Sequence, residues 1–476
     1  MPAVIPKRQI LKNLSYISLG DLGSRLLAFA AFAYLARVLG PANLGLIGFG
    51  ASAVALAAPL VDYGLGFVGT REVSKDPSTL KFYLKSVIFD RLILGTFAYG
   101  CLFVVTTLFL KDPEKVRILL LYGLTLLPAI VTLSWVYQGI DQTGWFTFEK
   151  ITQSALYLAA IFLFVQRQSE FESVPVAYTL SALAPAFVVL GYYSRGRSPS
   201  MQKFSVRRSI GLLRSSLKLF VPTFLSQLSL SIGLLLVVFL GSLADAGYFS
   251  AASKIVILTA AIPNLLWSSF YPIVARTASL KVDGGKSVGA ILYKYSILVG
   301  VVPLFFGLTH AHELVGILFG GSYEGSVAPF RLFSIVASLQ CVSIVFTRIL
   351  PALNMDVMFT RIVTVGAVIQ VIACVALVPS FGVSGAALSY VFSEGTIVLF
   401  ALREFRRINN INLVKIPAVA LSVIAVCYAL IRGVGTFIPL SGVPSIVAIL
   451  GLYAVALWAT GFISVNEFIL SDSPDT

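Results

Sequence analysis

The chain has 476 residues, 58% of them hydrophobic and only 12% charged, with a formal net charge of +14. Soluble domains carry about 25% charged residues, so an ordinary soluble protein is excluded; a β-barrel, with alternating segments of about ten residues, does not fit either. The positive charge does not indicate nucleic acid, because Lys and Arg lie in short islands between apolar runs, where membrane topology puts them.

Each apolar run is long enough to cross a bilayer as a helix, which needs about 20 residues. Helices are expected because backbone groups in lipid must be satisfied within their own segment. Fourteen spans are predicted. The first six are Leu14–Ala36, Leu44–Phe67, Ser86–Leu110, Ile118–Gly139, Phe148–Val165 and Val174–Tyr193. A basic linker, Arg195 to Arg214, leads to six more: Leu217–Leu240, Phe249–Val274, Ile291–Leu308, Val327–Leu350, Val357–Val378 and Val383–Leu402. A second basic linker, Arg403 to Lys415, precedes Leu413–Ile431 and Val443–Ser464. The fifth span is short, and the eighth carries Pro263 and Pro272. No loop is long enough for a soluble domain, and the linker after Arg195 is expected to lie along the cytoplasmic surface.

With the N-terminus inside, the cytoplasmic segments hold 25 Lys and Arg residues and the opposite side 6; Arg25, Arg91, Lys254 and Arg331 lie within spans. That asymmetry predicts both termini in the cytoplasm. Lys7, Arg8 and Lys12 lead directly into a full-length span without a small-residue cleavage site, so no cleavable signal is expected.

A weak internal repeat divides the chain. The turn Leu35-Ala36-Arg37-Val38-Leu39-Gly40, followed by Gly45, is echoed by Val238-Phe239-Leu240-Gly241, followed by Gly247-Tyr248. The segment from Gly144 to Ile151 is echoed by Asp356 to Ile362. These offsets, about 200 and 212 residues, span six helices, so the two halves share one membrane orientation and their axis lies along the membrane normal. The expected architecture is an all-α integral membrane protein of about 14 transmembrane helices. Two pseudo-symmetric six-helix lobes, 1–215 and 216–412, surround a central cavity, and 413–476 adds two helices and a short tail.

Ionisable residues inside spans are the site candidates, because they are expensive in lipid and face the protein interior or water. Ser18, Asp21 and Arg25 form a polar stripe on the first span. The Arg25 guanidinium could hold a phosphate or simply pair with Asp21. Lys254, in the eighth span, has no acidic residue one turn away, so its partner is a ligand or another helix unless it snorkels to the surface. Arg91, beside Asp90 near the end of the third span, is a further cavity candidate, with interface anchoring as the alternative. Glu394, central in the twelfth span, and Asp62 are candidates for ion coupling; Glu394 could also neutralise Arg331.

Enzyme signatures are absent: no P-loop, no Gly-x-Ser-x-Gly and no Asp-x-Asp metal pattern. The four cysteines, Cys101, Cys341, Cys374 and Cys427, read as small apolar residues inside spans. His310 and His312, the only histidines, read as members of a solvated loop, and no metal site is expected.

Asn13 before the first span, the turn Arg37-Val38-Leu39-Gly40-Pro41-Ala42-Asn43-Leu44-Gly45, and Asp62-Tyr63-Gly64-Leu65-Gly66 followed by Thr70-Arg71-Glu72 resemble the N-terminal signature of bacterial polysaccharide transporters. These are the lipid-linked oligosaccharide (O-antigen type) flippases of the multidrug/oligosaccharidyl-lipid/polysaccharide exporter superfamily. Tyr137-Gln138-Gly139-Ile140-Asp141 is similar to that family's pattern after the fourth span. The resemblance implies two lobes around a cationic cavity that opens first to the cytoplasm and then to the far side of the inner membrane. The cargo it implies is a glycan on a polyprenyl pyrophosphate. Arg25 and Lys254 match cationic cavity positions by depth and lobe rather than by a strict motif. It further implies no cofactor, a proton or sodium gradient as the coupling candidate, and a polysaccharide polymerase and chain-length machinery as partners beside the lipid bilayer. A cation-coupled multidrug exporter of the same superfamily, with Glu394 essential, remains the alternative. A membrane glycan polymerase or ligase is the third reading, disfavoured by the small outer loops.

Overall fold

The computed structural model describes residues 7–142, 144–195, 206–265, 267, 284–352, 355–408, 415–435 and 443–459. The described residues are mostly helical, joined by short turns, and form no strand. Nine of these helices are long and apolar enough to cross a membrane, and shorter apolar helices follow near the C-terminus. The architecture is an all-α membrane bundle of about 14 helices. The linker residues 196–205 and 409–414, and Pro272 in the eighth span, lie outside the described residues, as do the side chains of Asn13, Ser18 and Cys427.

The first helix, α1, runs from Lys7 to Asp62. Straight, its 56 residues would extend about 84 Å at 1.5 Å per residue, more than two bilayer cores. Gly40 divides it, with φ 74° and ψ 174°, a backbone region that glycine enters without a Cβ penalty. The two arms are the first two predicted spans. The same device recurs in the long helix Asp356–Ile408, divided at Gly382 (φ 53°, ψ −129°).

After α1 come α2 (Leu65–Lys75) and α3 (Leu80–Phe109). The fourth predicted span is not one helix. It is broken into α4 (Pro113–Gly123), α5 (Leu126–Val131) and α6 (Ser134–Gly139). Pro128 has no N–H to offer the Leu124 carbonyl, and the chain turns there. The chain continues through α7 (Gly144–Phe164), α8 (Ser173–Arg195), α9 (Val206–Leu240) and α10 (Leu243–Thr259). α10 stops four residues before Pro263, for the same reason as at Pro128. The remaining helices are α11 (Gly284–Thr309), α12 (Ala311–Phe319), α13 (Val327–Ala352), α14 (Asp356–Ile408), α15 (Lys415–Gly435) and α16 (Val443–Ala459). The second repeat marks helix starts: Gly144 opens α7 and Asp356 opens α14.

The largest buried cluster joins both halves of the chain, bringing Leu39, Leu44 and Phe49 of α1 together with Val238, Phe249 and Phe333. A separate cluster packs α15 and α16 on α11 through Tyr295, Leu298, Ile424 and Tyr453. His310 belongs to that seam rather than to a solvated loop. It is 4% exposed, its Nδ1 lies 2.7 Å from Thr309 Oγ1, and its ring packs edge-on against Tyr428. The turn between α11 and α12 sits on the C-terminal helix pair and so excludes water. His312 remains exposed.

Candidate functional site

The most extensive packing between elements is α1 against α10, and small residues make it possible. A Cβ on Gly45 would lie 1.8 Å from the Leu243 carbonyl oxygen, and a Cβ on Gly247 would lie 1.9 Å from the Pro41 carbonyl oxygen. Gly247 follows Gly45 by 202 residues, and Leu243 follows Pro41 by the same 202. The contact is therefore made twice, related by a local two-fold, as in an isologous interface. Gly48 faces Ser250, the pair at the same offset. Close backbone approach at small residues is how membrane helices associate tightly. Around this seam the Tyr323 hydroxyl donates to the Ala36 carbonyl at 2.9 Å, Ser326 Oγ donates to the Tyr248 carbonyl at 3.1 Å, and Arg37 donates to the Ile317 carbonyl.

Farther along the same two helices lie Arg25 and Lys254. Arg25 Nε donates to Asp21 Oδ2 at 2.9 Å, one turn earlier on α1. Its Nη1 reaches across to the Ile257 carbonyl of α10 at 3.2 Å. Lys254, one turn from Ile257, puts Nζ 4.5 Å from the centroid of Phe32, a cation–π contact. Among the described residues Lys254 has no ion pair. Arg25 and Phe32 are seven residues apart, on one face of α1, so both cations lie in the seam between the halves. Arg25 and Asp21 retain 28% and 36% side-chain exposure. A partly solvated, paired guanidinium and an unpaired ammonium can together receive an anionic group.

At the far end of the second arm the halves meet again. The Tyr63 ring stacks on Phe220 of α9 with centroids 4.7 Å apart and planes 17° apart. Tyr63 has φ 49° and Gly64 φ 78°, the turn that closes the Asp62-Tyr63-Gly64-Leu65-Gly66 motif.

Asp62 and Arg91 have a different setting. Arg91 is 5% exposed; its Nη2 meets Asp62 Oδ1 at 2.5 Å and its Nη1 donates to the Thr132 carbonyl at 2.8 Å. Thr132 stands between α5 and α6; its N–H donates to the Pro128 carbonyl at 2.9 Å, but the break leaves its own carbonyl without a helical partner. The guanidinium thus satisfies a carbonyl freed in the membrane, as such breaks require, while Asp62 balances its charge and accepts from Gly66 N at 3.3 Å. Thr70 Oγ1 donates to the Trp135 carbonyl, at the start of α6, at 3.1 Å. Beside this group the Tyr137 hydroxyl donates to Glu149, which is 4% exposed.

Glu394 accepts from Ser343 Oγ of α13 at 2.8 Å. It does not meet Arg331, for a simple reason: Arg331 stands in the first turns of α13, twelve residues and about 18 Å of helix rise from Ser343. One turn from Ser343, the Gln340 Oε1 atom is buried and lacks a hydrogen-bond partner among the described residues. Sequence reasoning missed Ser343, Phe32, Phe220 and the Ile257 carbonyl. It also missed the buried network in which Ser229 Oγ donates to Gln370 Oε1 at 2.5 Å and Tyr390 donates to the Leu230 carbonyl at 2.6 Å. Neutral polar residues and backbone carbonyls carry no charge signal in an apolar span.

A helical membrane bundle whose halves pack along one seam, with cations beside it, suits a multi-pass membrane transporter. Two solved structures superpose on this bundle. The lipid II flippase MurJ in an inward closed conformation superposes with a TM-score of 0.73 at 13% identity, covering 93% of this chain and 99% of that one. An inward-facing multidrug resistance MATE family transporter of the MOP superfamily gives 0.60 at 16% identity, over 87% of this chain and 98% of that one. The family described as polysaccharide biosynthesis protein matches residues 10–278, more than half of the chain, and the chain belongs to it. A protein named as an O-antigen transporter in Escherichia coli (strain K12) is 24% identical over 422 residues, spanning 85% of this chain and 98% of that protein. A protein named as a low-salt glycan biosynthesis flippase in Haloferax volcanii is 29% identical over 154 residues, 32% of each chain.

Proposed function

We propose that the protein is a flippase that moves a polyprenyl-pyrophosphate-linked oligosaccharide, an O-antigen, capsule or exopolysaccharide repeat unit, from the cytoplasmic to the outer leaflet of the inner membrane. It works by alternating access between an N-terminal lobe, 1–215, and a C-terminal lobe, 216–412, with 413–476 as an added helix pair and both termini in the cytoplasm. The observation that carries the reading is the pair of cations on facing helices, Arg25 and Lys254, beside the seam between the halves. The pyrophosphate takes these cations, which replaces the Ile257 carbonyl as the partner of Arg25, while the lipid tail stays in the bilayer. No catalytic step is involved, in keeping with relatives named as transporters and flippases. A polymerase and chain-length machinery take the delivered unit. Reconstituted vesicles with a fluorescent polyprenyl-pyrophosphate glycan test the proposal: protein-dependent delivery to the outer leaflet, lost in Arg25→Ala, is expected. Undiminished flipping by Arg25→Ala and Lys254→Ala together refutes the site.

A second reading, a cation-coupled multidrug exporter, is favoured by the Glu394–Ser343 contact beside the unpartnered Gln340 oxygen. A carboxylate and an amide oxygen on adjoining helices suit a proton or a sodium ion, and the same group can couple a gradient to glycolipid movement. Asp62 is the weaker coupling candidate, because Arg91 already occupies it. Drug efflux from cells expressing the protein, abolished by Glu394→Gln, distinguishes this reading from the first.

A further inference from the structure

A cavity of about 860 Å³ opens between the start of α3, the segment leading into α7 and the end of α8. One wall is aromatic and fixed. The Trp145 and Tyr192 ring centroids are 4.8 Å apart, Phe148 approaches Trp145 edge-on at 5.6 Å, and the Tyr193 hydroxyl donates to Gln142 Oε1 at 2.9 Å. Lys81, half-buried in the first turn of α3, lines the opposite wall and has no ion pair among the described residues. The acidic residue on that side, Asp76, is occupied by the Ser78 backbone N–H at 3.0 Å and hydroxyl at 2.7 Å. Exposed Lys85 and Lys150 stand within about two turns of the lining residues and add positive field; Lys75 is paired with Glu72 at 3.1 Å, and exposed Asp141 lies between the lining residues Ile140 and Gln142. The rim on α8 is apolar and open: Phe187, Val188 and Tyr192 are 54%, 53% and 54% exposed. These residues sit at the end of a membrane-spanning helix, so the cavity opens sideways to lipid.

A cation inside, an aromatic wall and an apolar rim match an amphiphile with a negative head. A free anion would gain nothing from the rim. Basic pockets between helix ends and interfacial aromatic residues are both features that hold lipid headgroups. We propose that this cavity binds the headgroup of an anionic phospholipid, with Lys81 on the phosphate, Trp145 and Tyr192 against the glycerol, and the acyl chains along α8.

The test uses the full chain, purified in detergent and titrated with phosphatidylglycerol or phosphatidylcholine carrying brominated acyl chains, which quench nearby tryptophan emission. The component due to Trp145 is identified by its loss in Trp145→Phe. Phosphatidylglycerol is expected to quench at about fivefold lower concentration than phosphatidylcholine, the effect of one lysine near the surface. Lys81→Gln brings the two lipids to parity. Gly191→Leu, where an added Cβ meets nothing within 4 Å, fills the cavity and abolishes the quenching without lowering the thermal midpoint. Equal quenching by both lipids in the native chain overturns the proposal, as does a preference that survives both variants. Inorganic phosphate that displaces phosphatidylglycerol, or polyprenyl pyrophosphate that does so at lower concentration than phosphatidylglycerol binds, also overturns it in favour of that ligand. The readout is binding, so it stands or falls independently of the transported cargo.

Discussion

Gly45 and Gly247 hold the two halves together by the same contact made twice: each glycine lies under a carbonyl of the other half, at Leu243 and Pro41, and neither position has room for a Cβ. The seam is therefore specific: backbone contact at the two glycines sits within the apolar cluster that joins the halves. Overpacking such a site costs about 1–3 kcal/mol, enough to shift a two-state equilibrium about 5- to 150-fold. Gly45→Ala and Gly247→Ala should each open this end. In a cysteine-free background, a Ser250→Cys reporter, buried in the native chain, should react with an impermeant thiol reagent at least about fivefold faster in either variant. Equal effects from the two substitutions would reflect the local two-fold; unchanged labelling would show that the seam is not a gate.

Tyr63 on Phe220 is the corresponding contact at the other end. Stacked rings contribute about 0.5–1.5 kcal/mol beyond their burial. Tyr63→Ala should favour the state open at that end, raising labelling of a Ser216→Cys reporter, buried in the native chain one turn from Phe220, while leaving the Ser250→Cys reporter as protected as before or more so. A rise at both reporters would indicate general loosening.

Arg25 and Lys254 separate charge from shape. Removing the charge at either position should lower flipping about tenfold or more, whereas Arg25→Lys and Lys254→Arg should stay within about threefold, since a cation–phosphate contact is charge-assisted. Initial flipping rates in vesicles measure this. Asp21→Asn should have a smaller effect, because the Arg25 cation stays and an asparagine oxygen can still accept from its Nε.

Arg91 should behave as a structural residue. Arg91→Ala strands the Thr132 carbonyl and leaves Asp62 without its partner, and breaking such a pair costs about 2–4 kcal/mol where one partner is buried. A lower thermal midpoint in detergent is expected, with Arg25→Ala shifting it much less. The reverse order would exchange the roles assigned to the two arginines.

Glu394→Gln keeps an acceptor for Ser343 and removes the charge. Under the coupling reading, transport by this variant should no longer respond to an imposed proton or sodium gradient, while downhill exchange continues. A full response to both gradients would remove Glu394 from coupling.

The order of spans was legible because an apolar run of sufficient length has one stable form in lipid. The breaks were legible only in part. Pro128 marks the first break in the sequence, but the second, at Thr132, has no proline beside it, and its freed carbonyl is met by Arg91 from another helix. The two motif pieces Tyr137 and Glu149 lay on separate predicted spans, and their hydrogen bond could not be inferred from spacing. His310 was read as solvated because its neighbours in sequence are polar, whereas the residue that covers it, Tyr428, is more than a hundred positions away.

The sequence by itself determined that this chain spans a membrane as helices and that a few charges lie where lipid would reject them; both follow from local transfer energies. The tertiary structure decided what each charge does. Arg25 and Arg91 have the same chemistry, but one faces a seam between halves and keeps solvent, while the other is enclosed and bonded to a broken backbone. That difference is set by which helices pack against them, and packing between distant segments is not written in the local pattern of residues.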